Sequence, residues 1–408
     1  MSGYLLKIRT NLPHSDKKVD INVDGKTLIL TGGNGCGKTQ LMELIFSKLE
    51  KHVVKRENTA LENLEKQLEY HTKLSPVAPT ESGHDHWIVR VANIKRDMDE
   101  IKNPVIEMNG MESFIMGYHS SKSVCSYFEA DRKSRINKPS SVNSIDALRS
   151  KDKNGENKSS SIFEEFLVTN IANQAFSESK KINNSPEEAA RIEKWFLKLE
   201  NDLQHLFEDN QLKLVFKSDT FSFEIHQPHK TPYTFQCLSS GFSSIMAVYA
   251  NLITNVSLHA VDPDELTGIV LIDEIDAHLH VSLQKKILAF LKKSFPNVQF
   301  IVSTHSPFVV SSVDDAVIYD LSRLEHIENL SMYSYEAVLE GLFGVLPISS
   351  LLQKNIEKLA ALLKTSPLDI DEIQALLNLL PSDDTTLDDE SLYFVKSAKI
   401  ALSKAKRS

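Results

Sequence analysis

The chain has 408 residues, 41% of them apolar and 25% charged, and carries a formal net charge of −9. This length exceeds what one hydrophobic core usually supports, which predicts a large domain with an insertion, or two lobes, of ordinary globular composition. No run of about 18 apolar residues occurs, which argues against a membrane span, and the acidic balance argues against a surface that coats nucleic acid throughout while leaving a local basic groove open.

The start, MSGYLLKIRT, lacks a long apolar segment of the signal-peptide kind and runs into a strand-like pattern. Cys36, Cys125 and Cys237 form neither a CxxC pair nor a disulfide framework, and together these features predict a cytoplasmic chain. Residues 4–9 and 19–30 read as strands, ending in TLIL at 27–30; glycines follow at once, and QLMELIFSKL reads as a helix. From about 48 to 103 the pattern is charged and helical. Leu61, Leu64 and Leu68 repeat at 3 and 4, and beyond SPVAPTESG so do Trp87, Val91, Ile94, Met98 and Ile101, which predicts an antiparallel helical hairpin. SFIMGY at 113–118 reads as a strand, residues 131–160 as a polar mobile loop, and 162–182 and 187–208 as helices. QLKLVFK and TFSFEIH, split by Ser218-Asp219, read as a β-hairpin. Beyond 237 the chain turns α/β: a helix at 243–256, the strand GIVLI at 268–272, a helix at 281–294, and the strands VQFIVS at 298–303 and AVIYDL at 316–321, with helices from about 333 to the basic end.

Gly32-Gly33-Asn34-Gly35-Cys36-Gly37-Lys38-Thr39 matches G-x-x-x-x-G-K-[ST] between a strand and a helix, the context that gives this motif its meaning. Glycines at positive φ let backbone amides close around phosphate oxygens, and the helix N-terminus adds partial positive charge. Lys38 is expected to bridge the β- and γ-phosphates and the Thr39 hydroxyl to ligate Mg²⁺, while Cys36 fills a variable position. Ile269-Val270-Leu271-Ile272-Asp273-Glu274 is an apolar run ending in two acids. Ligands sit at the carboxyl ends of parallel strands, so Asp273 is expected to hold Mg²⁺ and Glu274 to orient an attacking water; the lesser alternative for two such acids on their own is to cap the following turn. His305, in Ser303-Thr304-His305-Ser306-Pro307, would share that sheet edge and reach the γ-phosphate or the water. His278 and His280 lack further ligands for a zinc site, and His280 reads as a surface or packed histidine. Leu238-Ser239-Ser240-Gly241-Phe242 opens another helix, a second anion-facing surface made by a hydroxyl and free amides.

The order GGNGCGKT, LSSGF, IVLIDEIDAHLH, STHSP resembles the ABC-type ATPases, in the branch holding the RecF, SMC and OLD proteins. Within it, GIVLIDEIDAHLH and FPNVQFIVSTHSPFVV are similar to ATPase subunits of bacterial anti-phage defence systems of the Septu PtuA kind. The resemblance covers residues 1–47 and 236–321. It implies an α/β nucleotide-binding domain with a mixed sheet (1–47 and 110–330), an inserted hairpin arm (48–109) and a helical C-terminal region (331–408). It also implies ATP and Mg²⁺ as cofactors and a homo-oligomer, at least a dimer across ATP. Ser239, Ser240 and Gly241 of one subunit would complete the site built from Lys38, Thr39, Asp273, Glu274 and His305 of the other, with Asp276 touching the opposite subunit. The serine segment reads LSSGF where the family has LSGGQ, and no Q-loop glutamine is identified after SFIMGY.

The expected function is therefore an ATPase that regulates a separate effector, a nuclease, in anti-phage defence; no nuclease signature stands in this chain. A DNA-repair ATPase that binds duplex ends, and an assembly switch that binds ATP without needing to hydrolyse it, are the alternatives.

Overall fold

A computed structural model describes the chain apart from residues 1–2, 14, 58–60, 75–80, 153–158, 328–329, 331–332, 334, 344–348, 366, 382–386, 388 and 406–408. It divides into two compact units, Met1–Tyr333 and Ser334–Ser408.

The first unit begins with β1 (Leu5–Asn11) and β2 (Lys18–Asn22), an antiparallel pair, then β3 (Thr27–Thr31), in which every residue is buried. The glycine loop leads into α1 (Lys38–Leu49), which turns π-helical over Glu50–Val54. Next come α2 (Leu61–Leu74) and α3 (Glu81–Lys102), which pack on one another. Leu64 and Ile94 are buried, and His71 stacks on Trp87 with centroids 4.9 Å apart. At the base of α3, Glu100 receives Lys48 at 2.9 Å and Lys51 at 3.3 Å. The chain re-enters through β4 (Ile106–Met108), which completes a three-stranded sheet of order β2-β1-β4.

Residues 113–118, expected as a strand, belong to α4 (Met111–His119). Met111, Phe114, Ile115 and Tyr118 all pack on the core, and their spacing of 3, 1 and 3 is that of one helical face, which settles the conformation. The strand here is instead β5 (Ser123–Phe128). The segment 131–160, expected as a mobile loop, contains the helix α5 (Ile145–Asp152) and a 3₁₀ turn, Ser159–Ile162. Leu148 is fully buried there and Arg149 Nε donates to the Leu258 carbonyl at 2.5 Å, contacts that a polar sequence does not advertise. Helices α6 (Phe163–Glu178) and α7 (Pro186–Leu206) follow, then the antiparallel sheet β6 (Lys213–Lys217), β7 (Ser222–His226), β8 (Tyr233–Thr234).

Helix α8 (Ser240–Leu258) is buried on nearly every side from Ser244 onwards, as its apolar composition requires. After it come β9 (Thr267–Ile272), the short helices α9 (Val281–Gln284) and α10 (Ile287–Ser294), β10 (Val298–Ser303), α11 (Pro307–Val310), β11 (Ala316–Asp320) and β12 (Glu325–Ile327). The main sheet has the order β12-β11-β3-β10-β9-β5. The five strands from β11 to β5 run parallel to one another and β12 is antiparallel at one edge, so the sheet is mixed. Strands β3 and β10 are buried throughout because elements cover both faces, which is why they read as unbroken apolar runs.

The second unit holds α12 (Tyr335–Phe343), α13 (Ser350–Leu362), α14 (Ile370–Leu379) and α15 (Asp389–Ala405). Leu359, Ile373 and Ala398 form the fully buried centre of a cluster from the last three. Ser349 and Asp369 cap α13 and α14 by accepting the amides of Leu352 and Glu372. Among the described residues no helix is long and apolar enough to cross a membrane.

Gly268 fixes where β5 meets β9. Its φ is +129°, and a Cβ there would overlap the backbone of Val124 on the paired strand. Because backbone on both sides is held by the ladder, Gly268→Ala is expected to cost at least about 2 kcal/mol and to lower Tm by about 3 °C or more. Thermal denaturation followed by circular dichroism measures this, and an unshifted midpoint would show that β5 can move aside.

Candidate functional site

Three adjacent parallel strands end together. In register, Ser303 of β10 pairs with Leu30 of β3, and Val302 pairs with Ile272 of β9, so the residues that follow emerge at one edge of the sheet. At that edge Thr39 Oγ1 donates to Asp273 Oδ2 at 2.7 Å, and Ser303 Oγ donates to Asp273 Oδ1. Ser303 Oγ also accepts the amide of Glu274 at 2.7 Å. Asp273 is 2% exposed, so its carboxylate is held by hydroxyl donors rather than by water. Next to it Thr304 Oγ1 donates to Asp276 Oδ1 at 2.5 Å, and the Thr304 amide donates to the Leu30 carbonyl at 3.0 Å.

The glycine loop curls over its own lysine. Lys38 Nζ donates to the carbonyls of Gly32 at 2.9 Å and Gly33 at 3.2 Å, and lies 3.8 Å from Cys36 Sγ. Gly32, Gly35 and Gly37 have φ of +132°, +74° and +105°, a path that only glycine takes without strain. The N-terminus of α1 has no side-chain cap and no acid in its first turn, which leaves its amides and partial positive charge facing outwards beside exposed Gly33, Asn34 and Gly35. The loop is braced from behind: Ser322 Oγ accepts the Gly33 amide at 2.9 Å, and Lys17 Nζ donates to the carbonyls of Leu321 at 3.0 Å and Cys36 at 3.4 Å.

Glu274 is half-buried with φ of +43°, a left-handed conformation that is uncommon outside glycine. His305 is half-buried as well. Burial, and then the positive charge of Lys38, push its pKa down; Asp276, Glu274 and Asp273 oppose that shift without cancelling it, so the ring is favoured in its neutral form. His280 is the N-cap of α9, accepting the amide of Ser282 at 3.4 Å.

Lys38, Thr39, Asp273, Glu274 and His305 thus share one edge. Ser239, Ser240 and Gly241 stand apart from the loop. Ser239 and Ser240 are exposed at the start of α8, where Ser239 makes no side-chain cap, and no hydrogen bond joins either to residues 32–39 among the described residues. Gly241 is buried against the turn after β9: a Cβ on it would lie 2.9 Å from the His278 carbonyl.

Three residues at this site lie outside the sequence expectations. Ser303, the last residue of an apolar strand, carries a usable signal, a polar residue at a strand's carboxyl end. Ser322 follows β11 in the same manner. Arg132 carries none, since it sits in a polar stretch and yet is buried, donating only to backbone carbonyls, three of them in the turn that holds the acids. Burial pulls its pKa down to about 10, with Asp276, Asp273 and Glu274 resisting.

Several known proteins are similar to this chain. A family described as "AAA domain, putative AbiEii toxin, Type IV TA system" matches residues 117–311. The chain is 46% identical over 89 residues to the "Retron Ec83 probable ATPase" of Escherichia coli, a match covering 21% of this chain and 16% of that one. It is 28% identical over 175 residues to the "Septu protein PtuA" of Bacillus thuringiensis, covering 39% of this chain and 44% of that one. The chain therefore spans less than half the length of these relatives. Among solved structures, an Smc head bound to the C-terminal winged-helix domain of ScpA aligns over 78% of this chain and 94% of its own, with a TM-score of 0.38 and 14% identity.

Ser303→Ala removes a donor from a buried carboxylate and an acceptor from the Glu274 amide. A loss of about 1–3 kcal/mol in stability is expected, read from denaturant titration; a change under about 0.5 kcal/mol would mean that water replaces the hydroxyl. Its parallel strand order, glycine loop and strand-end acids belong to an α/β fold built on a mixed sheet, and the chain resembles the ATPase subunits of bacterial anti-phage defence systems.

Proposed function

We propose that the chain binds ATP with Mg²⁺, dimerises around it and hydrolyses it, and that this cycle regulates a separate effector, a nuclease, in cytoplasmic anti-phage defence. The supporting observation is the meeting of Lys38, Thr39 and Asp273 at the end of three parallel strands, with Glu274 one residue beyond.

In this reading the triphosphate lies on the outward-facing amides of residues 33–39, and Lys38, already folded over the loop, turns its ammonium to the β- and γ-oxygens. Thr39 and Asp273 offer adjacent hard oxygen donors, a set that suits Mg²⁺. When bound, that cation supplies neutralisation of phosphate charge. Glu274 accepts a proton from, and orients, the water that attacks the γ-phosphorus in line. His305, favoured as the neutral ring, donates one hydrogen bond to the γ-phosphate or to that water. The remaining side of the phosphate is open, and the exposed Ser239 and Ser240 at the uncapped end of α8 are suited to close it from a second subunit. The division of labour proposed with it assigns 1–47 and 110–330 to the ATPase domain, 48–109 to a hairpin arm and 331–408 to a helical C-terminal region that meet the effector.

Three variants test the reading. Lys38→Ala is expected to abolish binding of ATP. Glu274→Gln is expected to keep binding, to lower hydrolysis by about 100-fold or more, and to double in mass on light scattering with ATP and Mg²⁺. Ser239→Arg, added to Glu274→Gln, is expected to remain monomeric under the same conditions. Unaltered nucleotide binding by Lys38→Ala, or no change of mass for Glu274→Gln, would remove the proposal.

A further inference from the structure

The chemistry proposed above leaves Arg132 without a part. This residue follows β5 and is 7% exposed, although Asp131 and Lys133 on either side of it are exposed. Its Nη1 donates to the carbonyls of Asp273 at 2.6 Å and Glu129 at 3.3 Å, and its Nη2 to those of Ile275 at 3.0 Å and Glu274 at 3.2 Å. Its Nε is buried with no partner among the described residues.

Burying a guanidinium costs several kcal/mol, and an apolar side chain would fill the same space more cheaply. What the apolar side chain lacks is a planar fork that reaches three successive carbonyls at once. Those three carbonyls belong to the turn that contains Glu274 at φ +43°, a conformation disfavoured for a residue with a side chain unless its surroundings hold it. Fixing the carbonyls on both sides of Glu274 fixes its Cα–Cβ direction, and with it where the carboxylate stands.

The same segment is tied at its other end to α8. The Ser134 amide donates to Ser243 Oγ at 3.1 Å and to the Ser243 carbonyl at 3.2 Å, and the two hydroxyls are 3.0 Å apart. Gln236 Nε2 donates to the Ile136 carbonyl at 3.1 Å. A single residue, Lys133, therefore separates the clamp on the acidic turn from the clamp on the first turn of α8, whose exposed end bears Ser239.

We propose that Arg132 is a positioning residue, setting the direction of Glu274 and coupling the acidic turn, through Ser134, to the serine-bearing end of α8. The proposal rests on the ATPase reading and deepens it. Among the described residues no hydrogen bond joins Arg132 to the 32–39 loop, so its loss leaves the nucleotide's own contacts in place and strikes the step in which water must be aligned.

The test uses the full-length chain with Arg132→Lys and Arg132→Met, measured for Tm, for equilibrium binding of a fluorescent ATP analogue and for steady-state hydrolysis. Both variants are expected to bind the analogue within about threefold of the parent while kcat falls by about tenfold or more, with Lys, which keeps the charge but not the fork, recovering only part. Arg132→Lys also keeps a buried cation where Arg132→Met could fail to fold. Parent-like kcat in a folded variant, or binding and turnover lost in equal measure, overturns the positioning role while leaving Lys38 and Glu274 as assigned. A parent chain that binds the analogue but turns over no ATP overturns the hydrolytic reading itself, and the role of Arg132 falls with it.

Discussion

The structure depends on a register. Strands β3, β10 and β9 lie side by side and parallel, and their last residues project Thr31, Ser303 and Asp273 towards one edge. A slip of one residue would turn every side chain of a strand to the opposite face. Residues such as Ile301, Val302, Leu271 and Leu30, all fully buried, are pinned by covering layers on both faces, which makes such a slip costly. The polar groups at the strand ends are therefore delivered to the same place by apolar packing that has no chemistry of its own. Once there they satisfy one another, Asp273 through the hydroxyls of Thr39 and Ser303, and Asp276 through Thr304. Asp273, Ser303 and Thr304 are buried, so losing a partner there leaves a polar group poorly solvated, and the bonds support one another.

The glycine loop obeys a different constraint. A loop of exposed backbone would ordinarily lose much conformational freedom on closing round a ligand, and that loss subtracts from affinity. Here Lys38, Ser322 and Lys17 hold it from inside and behind through backbone groups alone. Gly37 packs against Leu12 so closely that a Cβ on it would lie 2.6 Å from Leu12 Cδ2. Among the described residues these contacts leave the start of α1 without a side-chain cap and the lysine without an acidic partner. The loop is thus ordered in advance, and in the proposed function little is left to organise when phosphate binds.

How much of this was legible in the sequence follows from how local each signal is. The glycine loop, the apolar strands ending in Asp273 and Ser303, and the start of α8 depend on neighbours in the chain, and their positions are right to within a few residues. The segment around residue 115 was misread because six residues of SFIMGY show apolar content but too little periodicity; Met111 at its edge carries the helical spacing. Strand β5 escaped notice because SVCSYF is not an apolar run. Its Ser123 is buried only because its hydroxyl pairs with that of Thr267, on a strand more than a hundred residues away in the chain. Arg132 is the extreme case, a charged residue in a polar stretch, three of whose four carbonyl partners come from a distant turn. No local pattern encodes a bond to a backbone that only the fold brings near.

Helix α8 links these two kinds of information. Its end, Ser239 and Ser240, is readable from sequence and exposed, while its body is enclosed by the core and cannot bend without opening cavities. A displacement at one end must then appear elsewhere along it. Two contacts at its first turn receive that displacement. Gly241 meets the His278 carbonyl in the turn that follows the acids, with no room for a side chain between them, and Ser243 is bonded to Ser134. Both contacts lead back to Asp273, Glu274 and Ile275, one along the turn and the other through Arg132. Two short routes between the same endpoints constrain rotation as well as translation, which one contact could not do. The serine end and the acidic turn are therefore joined as one rigid piece, and whatever grips the former has purchase on the latter.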